Sequence, residues 1–276
     1  MTSVPISVPR AASRLERAIR AVRGSLFFII WLPYLCIPAA IVQRLIVWPL
    51  LTLTASPARR AHRYGIWLRF QGHVIVFLSR LTAGVRVVIE GSIPDGPVVA
   101  IMNHQSVLDI PVAITLFRGA SPLFPTRDRY KWRIPFISPT LRMGRFPFIT
   151  QRPATVQQDL DSLAEAAARV ARGDNSLLIY AEGHRTRDGQ IGRFMRQGPR
   201  LILTHAKRPV YLIVADGMWG ARTFTDALAA LANSRVHVVV QGPFEPPDAD
   251  HADAFLDELR ATMTATLERM RGTIPA

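Results

Sequence analysis

The sequence predicts an α/β domain, a sheet with helices on its faces, behind an amino-terminal membrane-anchoring helical hairpin. Two observations carry the domain. Short β-branched-rich runs alternate with helical patterns after residue 84, and the longest helical run stops at Gly173-Asp174-Asn175 directly before another apolar run. A third carries the hairpin: from residue 25 to 43 about 19 residues lack any charge, close to the ~20 needed to cross a hydrocarbon core. The chain of 276 residues fits one such domain with an appendage. We divide it at residues 1–83, a basic segment with membrane-anchoring helices, and 84–276, the α/β domain.

The amino-terminal part opens with Arg10, Arg14, Arg17, Arg20 and Arg23, spaced along one broad helical face and offset only by Glu16. After Arg44 a second uncharged stretch runs to residue 58. The apolar material is too long for a secretory signal, and Pro33, Pro38 and Pro49 argue for kinked or broken helices. Basic residues stand on both sides, with Arg59, Arg60 and Arg63 following, so both ends face the cytoplasm and the anchor dips in and returns. Residues 64–81 mix apolar groups with Arg69, His73 and Arg80 and suit a helix at headgroup level.

In the second part, residues 85–90 and 98–102 read as adjacent strands joined through Pro94-Asp95-Gly96. Helices are expected at 107–117, 154–172, 200–206 and 252–271, the last carrying Leu256, Leu259, Met263 and Leu267 on one face. Strands are expected at 176–181, 209–215 and 236–241.

Lys and Arg number 34 against 20 Asp and Glu, a net charge of +14, so the surface attracts phosphate-bearing partners. Hydrophobic residues make up 49%, which excludes a disordered basic tail, and no nucleic-acid motif accompanies the charge. The single cysteine, Cys36, excludes an intramolecular disulfide and a zinc ribbon.

Candidate chemistry starts at Asn103-His104, directly after a predicted strand, with Asp109 five residues on. On one straight helix that offset separates the side chains by about 140°, so the two meet only if His104 lies in the turn before the helix. An imidazole held by a carboxylate on one nitrogen keeps the other for a proton from an alcohol. In isolation a pair at this spacing more often describes a capping or core histidine. Gly144 to Arg152 and Tyr180-Ala181-Glu182-Gly183-His184-Arg185-Thr186 form two further candidates. Gly183 allows a tight turn, and Arg185 suits a phosphate; either arginine alone also fits a surface salt bridge.

The ordered set Asn103-His104-x4-Asp109, Gly144 to Arg152, Glu182-Gly183-x-Arg185 and Pro209-Val210 resembles the four blocks of glycerolipid acyltransferases, specifically the bacterial 1-acyl-glycerol-3-phosphate acyltransferase family. Lys131-Trp132-x-x-Pro135-Phe136, Asp188-Gly189, Phe194 and Gly198 are similar too. The resemblance implies a mixed sheet flanked by helices, a catalytic domain over 84–276, and direct acyl transfer from a thioester to a hydroxyl. It assigns His104 as general base, Asp109 as its orienting partner, and Arg152, Glu182, Gly183 and Arg185 to the glycerol-phosphate acceptor. Glu182 would position an acceptor hydroxyl or hold the arginines. No metal or bound cofactor is called for; acyl-coenzyme A or acyl carrier protein is a co-substrate, lysophosphatidic acid the acceptor, and the inner membrane, facing the cytoplasm, the location. Ala181 and Leu212 stand where proline is usual and His184 where threonine is usual, flanking the expected phosphate site. Arg127, Arg129, Lys131 and Arg133 form a basic cluster suited to coenzyme A phosphates, an acidic carrier protein, lipid headgroups or a solvated loop. Acylation of another lysolipid (a lysophospholipid or an amino-acid-derived one) and a non-catalytic anionic-lipid-binding role are the other readings.

Overall fold

A computed structural model describes residues 14–220 and 230–273. The centre is a six-stranded sheet built from β1 (Arg86–Glu90), β2 (Val99–Met102), β3 (Pro122–Leu123), β6 (Ser176–Tyr180), β7 (Val210–Asp216) and β8 (Arg235–Phe244), in the order β1-β8-β7-β2-β6-β3. All neighbours run parallel except β7 and β8, so the sheet is mixed. A two-stranded parallel sheet pairs β4 (Thr126–Arg127) with β5 (Phe148–Ile149).

β2 and β7 are buried at every position and β6 at all but its last. Their unbroken apolar runs, Val-Ala-Ile-Met in β2 and Val-Tyr-Leu-Ile-Val-Ala in β7, are what strands covered on both faces require. β1 and β2 are not adjacent, contrary to the expectation from sequence: β8 and β7 lie between them, and Arg86 pairs with Arg235. The stretch through Pro94-Asp95-Gly96 connects strands across the sheet instead of closing a hairpin.

The helices are α5 (Asp109–Leu116), α6 (Ile137–Met143), α7 (Val156–Ala171), α8 (Gln197–Ala206) and, near the carboxyl end, α9 (Ala252–Thr273). Leu256, Leu259, Met263 and Leu267 of α9 are buried as their spacing predicts, against β7 and α8.

The amino-terminal part is a helical hairpin, longer than predicted. Its first leg is helical from Arg14 to Thr52: α1 (Arg14–Tyr34), α2 (Ala40–Val42) and α3 (Trp48–Thr52) are joined by π-turns at Leu35–Ala39 and Gln43–Val47. Pro33 and Pro38 therefore do not break the helix. Pro38 sits inside the first widened turn, where the wider ring relieves the proline's clash with the preceding carbonyl. The return leg is α4 (Pro57–Leu78), started by Ser56, whose hydroxyl accepts from Arg59 N–H. One face of it is packed, with Tyr64, Leu68 and Ile75 joining Phe27 and Phe28 of the first leg in one hydrophobic cluster with the sheet, while Ile66, Phe70 and Phe77 stay exposed. Of the arginine stripe, Arg10 and the side chains of Arg14 and Arg17 lie outside the described residues. Arg23 leaves that face to donate to Thr82 O at 3.3 Å, bracing the open end of the hairpin.

α4 meets α5 closely because Gly72 has no side chain; a Cβ there would stand 3.0 Å from Pro111 O and 3.3 Å from Ile114. Gly72→Leu should push the hairpin off α5 and cost about 1–3 kcal/mol of stability, read as a lowered thermal unfolding midpoint.

Candidate active site

β2, β6 and β7 end side by side, and each delivers polar groups just beyond its carboxyl end, the position where open α/β sheets meet their ligands. After β2, Asn103 donates through Nδ2 to Ala215 O and accepts from Ala215 N–H, both at 2.8 Å, clamping its turn to β7. His104 follows in the turn before α5, and its Nδ1 lies 2.8 Å from Asp109 Oδ2. The pair is thus in contact, through the strand-turn-helix geometry its spacing demanded. Asp109 is fully buried at the first position of α5, where the helix dipole favours an anion. The same Oδ2 accepts the N–H groups of Gln105 at 2.6 Å and Ser106 at 2.7 Å. With Nδ1 taken, Nε2 is the nitrogen left for a reacting hydroxyl, on a side chain that is 17% exposed.

After β6, Glu182 accepts the His104 N–H at 3.2 Å through Oε1 and the Gly192 N–H at 2.8 Å through Oε2. Burial raises its pKa, with the two backbone donors and the nearby histidines opposing the rise. Both oxygens are used on backbone, so Glu182 serves the shape of the His104 turn. Gly183 has φ +73°, the left-handed conformation its turn needs. Thr186 N–H donates to His104 O at 2.7 Å, which places exposed Arg185 next to the His104 turn. Exposed Arg152 reaches the same neighbourhood through its neighbour: Gln151 Nε2 contacts Gly183 O at 3.5 Å, and Asp159 of α7 accepts the N–H groups of Thr150 and Gln151.

A cavity of about 290 Å³ opens beside Glu182, lined also by His184, Arg193, Phe194, Met195 and Arg196. Of the three departures from the family blocks, Ala181 and Leu212 are buried in the core and only His184 reaches this cavity. Among the described residues, no group of three or more His, Cys, Asp or Glu side chains is placed to hold a metal.

The sequence does not reveal the role of Tyr180, nor the part played by Gln105, Asp216 and Arg271. The Tyr180 ring stacks on His104 with centroids 4.1 Å apart, and burial, then the Asp109 charge, push its phenol pKa well up, so it is a neutral wall. Gln105 donates to Asp216 Oδ1 at 3.1 Å and accepts from Met218 N–H; Asp216 in turn takes Arg271 of α9 on both oxygens, at 3.0 and 3.1 Å. Burial alone would raise the Asp216 pKa. The bonds from Arg271 and Gln105 and the Arg271 charge outweigh it and hold it below the usual carboxylate value.

Residues 84–215 match the family model for Acyltransferase, a span that covers every group of the turn described above except Arg271, Asp216 and Met218. The chain is 26% identical over 245 residues to a Pseudomonas aeruginosa protein named 1-acyl-sn-glycerol-3-phosphate acyltransferase, covering 83% of this chain and 91% of that one. Its fold is similar to the crystal structure of the 1-acyl-sn-glycerophosphate acyltransferase from Thermotoga maritima, with a TM-score of 0.71 at 16% identity over 94% of this chain and all of that one. The match assigns residues 84–215 to the acyltransferase family, and the chain is an enzyme of that class.

Because the Asp216 carboxylate is held low, it stabilises the fold above its unfolded pKa of about 4, and that stabilisation is lost as pH falls through the folded value. Asp216→Asn should cost roughly 1–3 kcal/mol at neutral pH by stranding Arg271, and should flatten the fall of the unfolding midpoint below about pH 4. Asp109→Asn, which keeps the size but weakens the hold on His104, should lower turnover roughly 10²–10⁴-fold with the fold retained, measured as initial rates beside circular dichroism.

Proposed function

We propose that the enzyme transfers a fatty acyl chain from acyl-coenzyme A or acyl carrier protein to the sn-2 hydroxyl of 1-acyl-glycerol-3-phosphate, giving phosphatidic acid. The observation that carries the mechanism is the 2.8 Å contact of His104 Nδ1 with buried Asp109. Nε2 accepts the hydroxyl proton as the oxygen attacks the thioester carbonyl. The tetrahedral oxyanion collapses, the carbon–sulfur bond breaks, and His104 returns the proton to the departing thiolate. Asp109 keeps the ring in the orientation that leaves Nε2 facing the acceptor and stabilises the imidazolium.

Arg152 and Arg185, brought to the Gly183 turn from two directions, are the proposed ligands of the acceptor phosphate, and Gly183 lets backbone approach it. Exposed Arg193 on the neighbouring cavity adds positive field. Glu182, assigned from the family pattern to the acceptor, contributes by fixing the backbone of His104. The name of the Pseudomonas aeruginosa relative supports the acceptor.

We read the hairpin as a monotopic anchor at the inner face of the cell membrane. The apolar helical run from Ala18 to Thr52 spans 35 residues, about 50 Å, longer than a ~30 Å hydrocarbon core. Along that length it presents Ile19, Val22, Leu26, Ile29, Ile37, Ile41, Leu45 and Trp48 outward, while Phe27, Phe28 and Gln43 are buried against the rest of the molecule. A helix laid lengthwise on the catalytic domain fits the membrane plane and not a perpendicular crossing.

The test incubates purified wild-type and His104→Ala protein in lipid vesicles with radiolabelled acyl-coenzyme A and a panel of lysolipids. Label should enter phosphatidic acid with wild type and fall roughly 10²–10⁴-fold in the variant. Undiminished transfer by His104→Ala overturns the mechanism, and label only in another lipid overturns the acceptor.

A further inference from the structure

A second cleft, sharing no lining residue with the cavity beside Glu182, lies where the first leg of the hairpin crosses α6. It measures about 640 Å³, and its walls include Ile41, Arg44, Leu45 and Trp48 of the hairpin with Pro139 and Arg142 of α6. We propose that this cleft binds the phosphate of an anionic phospholipid, resting on the reading of the hairpin as a membrane anchor.

Three features point there. The cleft is built, not incidental. Gln43, almost fully buried at its base, accepts from Thr140 Oγ1 at 2.7 Å and from Trp67 Nε1 at 3.4 Å, and donates to Phe136 O at 3.3 Å. These bonds fix the helix to α6 and hence Arg44 relative to Arg142. The charge is of one sign: two guanidiniums face the cleft without a carboxylate in its lining, and among the described residues neither makes a salt bridge. Arg142 Cζ lies 4.1 Å over the Trp132 ring, a cation–π contact that restrains the guanidinium while its N–H groups stay available to an oxyanion.

The third feature selects a lipid over a soluble phosphate. Ile41, Leu45 and Trp48 are 52%, 69% and 41% exposed, and Trp132 is 58% exposed. An inorganic phosphate gains nothing from such walls, whereas a phospholipid places its glycerol and upper acyl chains on them with its phosphate between the arginines. Tryptophans flanking arginines is also the composition that settles at headgroup depth.

The experiment measures binding of the full chain to vesicles of phosphatidylcholine alone and of phosphatidylcholine mixed with phosphatidylglycerol. Wild type should prefer the anionic vesicles by about tenfold or more at low salt. Arg44→Gln/Arg142→Gln should lose most of that preference and keep its affinity for the neutral vesicles. Arg86→Gln/Arg172→Gln, which removes the same charge elsewhere, should retain the preference. Equal loss in both double variants overturns the site in favour of diffuse attraction, and loss of the preference on adding inorganic phosphate at constant ionic strength overturns the lipid as ligand. Wild type that binds neither vesicle overturns the anchor reading itself, a result distinct from failure of the site. Should the double variant unfold, Arg44→Gln alone, at an exposed position, carries the same comparison.

Discussion

One buried oxygen holds the turn between β2 and α5 together. Asp109 Oδ2 gathers the imidazole of His104 and the backbone N–H groups of Gln105 and Ser106, three donors within 2.8 Å. A carboxylate removed from water is costly unless its charge is met, and here the residues it orders are the ones that meet it. Local structure and reactivity therefore have one cause: the interaction that shapes the turn between β2 and α5 also points the imidazole. Glu182 from β6 and Asn103 on β7 clamp the same turn from either side, so the histidine rests on a frame of strands and not on a loop.

That frame explains why the sheet is ordered as it is. With β2 between β6 and β7, the three strand ends that bear polar groups are neighbours, and the phosphate-binding arginines proposed above enter over the same edge. The antiparallel β8 lies outside this trio and carries β1, leaving the chemistry to the parallel strands. The hairpin packs into the same hydrophobic cluster, so its position relative to the site is set by packing and not by a hinge.

Much of this is legible in the residues, and what is not has physical reasons. β2, β6 and β7 are readable because a strand covered on both faces must be apolar throughout, and the His104 and Asp109 contact because only one local geometry satisfies the spacing. The separation of β1 from β2 is not, since the same β-branched runs and the same turn residues serve a hairpin or a crossover. The prolines mislead because a π-turn absorbs a proline without ending the helix. The stacking of Tyr180 on His104 and the links from Gln105 to Asp216 and Arg271 are made through the sheet and α9, and no local spacing encodes them. Glu182 stands out by its place in the third block, but its role does not, because a carboxylate suits an acceptor hydroxyl as well as it suits the two backbone N–H groups that occupy it.

The strand register has a consequence for how the enzyme is made. β1 has β8 as its sheet partner, and the bond chain from Gln105 through Asp216 ends on Arg271, so the His104 turn waits for residues 235–273 before all its supports are in place. The apolar hairpin leaves the ribosome long before them. The strand and helix synthesised last thus complete the polar support of a turn synthesised near the middle of the chain.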